Sequence, residues 1–92
     1  MSMSRVFDAE SHACYLRVSD ADVSETVQIS DNVYVDLDER GCPIGIEILG
    51  VIGSDTLVAI PGVERALALY SFSDESRRFV RAQSASATAL SD

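Results

Sequence analysis

The stretch from Val33 to Leu49, V-Y-V-D-L-D-E-R-G-C-P-I-G-I-E-I-L, restricts the fold more than any other part of the chain. Val33, Val35 and Leu37 alternate with polar residues before Asp38-Glu39-Arg40-Gly41, and Ile44, Ile46 and Ile48 alternate after it. Successive side chains of a strand point to opposite faces, so a period of two gathers these aliphatic groups on one face. The polar break between them reads as a hairpin turn, with Gly41 supplying a left-handed backbone conformation. A lone hairpin is at best marginally stable in water. The rest of the chain must therefore extend the sheet and cover its aliphatic face.

The residues before Val33 supply further strands. Arg5 to Phe7 is a short edge strand, and Asp8 to His12 is a polar turn. Ala13 to Val18 turns Cys14, Leu16 and Val18 to one face and Ala13, Tyr15 and Arg17 to the other. After the loop Ser19 to Asp22, Glu25 to Ile29 turns Val27 and Ile29 inward. Ser30-Asp31-Asn32 is a turn signal, because Asp and Asn tolerate positive φ. Short connections favour sequential neighbours, which predicts a meander with Val27 opposite both Val35 and Leu16. Fully burying each aliphatic side chain of the inner face contributes roughly 1.5–3 kcal/mol.

The cover has to come from the C-terminal residues. Gly50 and Gly53 mark the exit from the sheet; Thr56 to Ile60 suits a short strand or a helical turn, and Pro61 ends either one. Val63, Ala66, Leu67 and Tyr70 lie one helical turn apart between Val63 and Phe72. Ser73 or Asp74 can cap a second helix that sets Phe79, Val80 and Ala82 against Arg77, Arg78 and Arg81. Ala, Ser and Thr dominate beyond Gln83, where fraying is expected. The expectation is one α+β domain over 1–92: an antiparallel β-meander of four to five strands over 5–49, one or two C-terminal helices over 50–84 packed on its apolar face, and a disordered tail over 85–92.

Charge and composition narrow the function. Fifteen acids against seven bases, all of them Arg, give a net charge of −8, which disfavours nucleic-acid backbones as partners. With three Tyr, three Phe and no Trp, the core must be aliphatic. Cys14 and Cys42 do not make a disulfide framework. No leader pattern opens the chain and no apolar run approaches the length of a membrane span. A cytoplasmic protein with reduced thiols and no membrane partner is expected.

The outward sheet face carries the polar side chains that can do chemistry. The predicted register aligns Arg17, Thr26, Asp36 and Gly45 in one row, and Tyr15, Gln28, Tyr34 and Glu47 in another. Tyr15, Arg17, Tyr34, Asp36 and Glu47 thus form one candidate patch. It suits acid–base work or small-ligand binding, a protein interface anchored by Tyr and Arg, or a solvated face with a weak Arg17–Asp36 pair. Asp36, Asp38, Gly41 and Glu47 also fit part of the calcium-loop spacing, but Arg40 would put a cation in the cage and the flanks are strands. His12 and Cys14, two residues apart, suit neither a zinc site nor a nucleophile triad. No glycine-rich phosphate loop is present, and no cofactor, metal or catalytic residue is expected.

The run V-D-L-D-E-R-G-C-P-I-G-I-E-I-L resembles the signature of the bacterial family called domain of unknown function 2283, V-D-L-D-x-D-G-x-x-x-G-I-E-I-L. Its upstream element, Y-D-x-x-x-D-A-L-Y-I, corresponds to Phe7-Asp8 followed by Ala13-Cys14-Tyr15-Leu16. His12 and Arg40 stand where that family tends to have Asp. The resemblance spans about Val6 to Leu49 and implies a small bacterial sheet protein; it brings no assigned activity. The expected function is a non-enzymatic self-associating or protein-binding module, acting as a homodimer or with a protein partner. The alternatives are a small-ligand binder or enzyme using the polar face, and an acidic decoy of a nucleic-acid-binding protein.

Overall fold

The computed structural model describes residues 3–8, 10, 12–50 and 54–90, the side chains of 54–60 and 85–90 excepted. Five strands precede two helices: β1 (Ser4–Asp8), β2 (Ala13–Arg17), β3 (Glu25–Ser30), β4 (Val33–Leu37), β5 (Pro43–Leu49), α1 (Ser54–Leu69) and α2 (Asp74–Leu90). The strands form one antiparallel sheet in the order β1-β2-β5-β4-β3. An α+β fold with an antiparallel sheet and C-terminal helices on its apolar face is thus what the chain adopts.

The neighbours of β2 differ from the expected ones. Val35 stands between Val27 and Ile46, as the alternation predicts. Leu16 is opposite Ile46, not Val27, because β5 lies between β2 and β4. Crossing from β2 to β3 means passing three strand spacings, roughly 14 Å. The connection from Val18 to Ser24 can span roughly 23 Å, so the chain has slack for the crossover. The gain is a partner for the second edge of β5, the most aliphatic strand. The backbone N–H of Val18 extends the ladder by donating to the Ile44 carbonyl (2.9 Å).

Both tight turns beside β4 keep their polar character. At Asp38, one carboxylate oxygen accepts the backbone N–H groups of Arg40 and Cys42, each at 2.9 Å, and Gly41 has φ +81°. The turn Asp31–Asn32 uses no positive φ, contrary to expectation. A register shift between Gln28 and Ser30 absorbs the twist instead. Among the described residues, the non-glycine residue with a left-handed backbone is His12, at φ +55°. Its carbonyl accepts the N–H of Gly50, itself at φ +70°.

Leu16, Val33, Val35, Ile46, Ala66, Leu67 and Val80 are fully enclosed between the sheet and the helices. Val63 and Phe72 complete the seal, while Val27 and Ile29 on the outermost strand are only partly covered. The segment 54–60 is helical, and Pro61 sits inside α1 rather than ending it. Pro61 is exposed, and Gly62 next to it is buried. A side chain at Gly62 would come within 2.5 Å of Ser30 Oγ and 2.8 Å of a Val33 methyl. This close seat of the helix on β4, with Val63 and Leu67 buried beyond it, offsets the roughly 3 kcal/mol that an interior proline costs. α1 ends at Leu69, one turn short of the expected Phe72, which is nonetheless buried.

Ser73 caps α2 as expected: its hydroxyl accepts the Ser76 N–H at 3.0 Å. Across the helix pair, Arg81 grips Glu64 with two hydrogen bonds of 2.9 and 3.0 Å. That contact holds the Glu64 carboxyl below its ordinary value. α2 continues to Leu90, beyond Gln83 and into the segment 85–92 expected to be disordered. Residues 1, 2, 91 and 92, and Gly53 of the predicted sheet exit, lie outside the described residues. No described helix is long and apolar enough to cross a membrane.

Candidate functional site

The outer face of the sheet holds the five residues singled out from the sequence, in the two predicted rows but in a new order. One row reads Arg17, Gly45, Asp36, Thr26; the other reads Tyr15, Glu47, Tyr34, Gln28. All five of Tyr15, Arg17, Tyr34, Asp36 and Glu47 are half-buried. The helices lie on the other face, so this surface has no cover from α1 or α2.

Three of these rows' residues are tied together. The Tyr15 hydroxyl donates to Asp36 Oδ2 at 2.9 Å, and the Thr26 hydroxyl donates to Asp36 Oδ1 at 2.5 Å. Tyr15 reaches Asp36 by lying across β5, and Gly45 makes this crossing possible. A Cβ at Gly45 would stand 2.0 Å from the Tyr15 hydroxyl oxygen and 2.4 Å from the ring carbon bearing it. Burial, then the hydrogen bond to Asp36 and the negative charge there, push the Tyr15 phenol up to about 12. The cluster therefore holds its phenolic proton through the neutral range.

Arg17 does not pair with Asp36 as expected. With β5 inserted, the two stand on either side of Gly45. The Arg17 Nη1 donates instead to the Ser19 carbonyl at 2.8 Å, and the guanidinium lies 5.9 Å from the centre of the Tyr15 ring. Among the described residues the ion pair is Arg81–Glu64, on the helices. Glu47 stands between Tyr15 and Tyr34 in its row and adds a small upward push to the Tyr15 phenol.

The sequence reading placed Thr26 and Gly45 in the row without a role. Both signals were available: a Thr directly opposite an Asp in an antiparallel pair, and a glycine inside a strand, which often marks a close approach. The partial calcium spacing does not bring its aspartates together. Asp36 faces Tyr15 and Thr26, whereas Asp38 is turned into its own hairpin. No cluster of three or more His, Cys, Asp or Glu fit to hold a metal occurs among the described residues. An open groove of about 540 Å³ lies at the end of the sheet, against Asp22, Val23, Asp38 and Arg40, away from the Tyr15–Asp36 pair. Cys14 is buried in the core, which raises its thiol above the ordinary value, and Cys42 is exposed.

No curated protein and no solved structure matches the chain. A family model described as a protein of unknown function, DUF2283, matches residues 6–51, half of the 92. The match takes in β1 from Val6 onward, β2 to β5, the Tyr15–Asp36–Thr26 cluster and Gly45, and excludes both helices. The chain therefore belongs to the DUF2283 family.

Proposed function

We propose that the protein is a non-catalytic cytoplasmic interaction module, which self-associates through the part of its sheet that its own helices leave open. One observation carries this reading: on β1, Val6 is 59% and Phe7 48% exposed. Both belong to an outermost strand whose second edge has no neighbour in the sheet. Such a strand offers a row of backbone donors and acceptors beside apolar surface, which single chains normally blunt or cover.

The polar patch supports the same reading by what it lacks for chemistry. Both Asp36 oxygens already accept hydroxyl groups, and Tyr15 keeps its proton well above neutrality. The phenol is not poised near pH 7, where a general acid or base works best. Light scattering over micromolar to submillimolar concentrations tests the proposal. A mass that rises to twice the chain mass is expected; a monomer throughout overturns it.

A further inference from the structure

The two edges of the sheet are built differently. β3 carries the register shift between Gln28 and Ser30, has only acids at its ends, Glu25 and Asp31, and turns Val27 and Ile29 toward the core. Two such edges brought together would repel each other across a broken ladder. β1 pairs with β2 in continuous register over all its residues, and each of them is exposed.

The charges of β1 run from positive to negative. At one end stand Arg5 and, beside Ser4 on β2, Arg17; at the other stand Asp8 and Glu10. Residues 1–50 hold ten acids and three arginines, so two of the three lie at this edge. In a chain of net charge −8, this is the one stretch of the sheet with acids and bases in balance.

We infer that β1 pairs with β1 of a second copy, antiparallel, about a two-fold axis normal to the sheet. This rests on the self-association proposed above and names its surface. Antiparallel pairing sets the arginine end of one strand against the acidic end of the other; parallel pairing would set like against like. A normal axis keeps each face on its own side, so only residues of the same face become opposed. The register centred on Val6 satisfies this. It places Val6 against its own counterpart, Arg5 against Phe7, and Ser4 against Asp8. The row Arg17–Ser4 then continues into Asp8 of the second copy. The small Ser4 lets Arg17 reach across it, as Gly45 lets Tyr15 reach Asp36. Arg5 on the other face meets an aromatic ring, a favourable partner for a guanidinium.

The test uses the full chain with Cys42→Ser, which removes the exposed thiol. Opposed residues of an antiparallel pair lie close enough for a disulfide. Val6→Cys is therefore expected to give a cross-linked dimer under oxidised glutathione, and Gln28→Cys on the β3 edge is not. Asp8→Arg, which sets arginine against Arg17, weakens association about tenfold in sedimentation equilibrium, with far-UV circular dichroism unchanged. A wild-type dimer that neither cross-links through Val6→Cys nor weakens with Asp8→Arg overturns the β1 interface and leaves self-association standing. A wild-type monomer at every concentration overturns both.

Discussion

Tyr15 shows how much one position depends on the smallness of another. Its hydroxyl sits where a Gly45 side chain would be, so Gly45→Ala forces the ring away from Asp36. The expected cost is roughly 1–3 kcal/mol, from the lost hydrogen bond and the crowding. An absorbance titration of the phenols reports it independently: the tyrosine held at about 12 returns toward 10. The same shift ties stability to pH. The folded state holds the Tyr15 proton more tightly than the unfolded chain does. Its contribution is therefore complete below pH 10 and is lost as pH rises toward 12. Urea midpoints of the native chain should fall across that interval more steeply than those of Tyr15→Phe. The five candidate residues were legible because a period of two assigns faces without reference to neighbours. Their partners were legible only in part: Thr26 stands beside Asp36 in the predicted row, but only the insertion of β5 brings Tyr15 to that carboxylate in place of Arg17.

The secondary structure follows local chemistry where a side chain answers a backbone group nearby. Ser73 is such a case, with Ser76 in the third position of α2. The Ser73 hydroxyl accepts the Ser76 N–H and donates to the buried Ser76 hydroxyl at 2.9 Å. Ser73→Ala should cost about 1–2 kcal/mol in a denaturation experiment, because it leaves a helix-end donor and a buried hydroxyl without this partner. Asp38 answers its own hairpin in the same way. Local chemistry misled at Pro61-Gly62, which reads as a stop. The helix runs through it because Gly62 seats α1 on Val33 and the residues beyond bury against the sheet. Only the tertiary contact makes a breaker pair useful.

Across the molecule, one aliphatic layer holds the two halves together. Ile46 is fully buried at its centre, between Leu16 and Val35 in the sheet. Ile46→Ala should lower the unfolding free energy by roughly 2–5 kcal/mol. A domain of this size has about 5–15 kcal/mol in all, so the urea midpoint of that variant should fall by a large fraction. The alternation between Leu16 and Ile48, with the helical spacing of Val63, Ala66, Leu67 and Tyr70, was enough to foresee which residues would be buried and that helices would bury them. Periodicity carries that information because burial depends on which face a side chain is on. The order of the strands is a different kind of fact. Alternation is equally satisfied by β2 beside β3 or beside β5, since both present a matching inner row. Closure of the aliphatic layer chose β5 and sent the Val18–Ser24 connection across the end of the sheet. The same choice brought Tyr15 over Gly45 to Asp36 and left β1 alone at the rim.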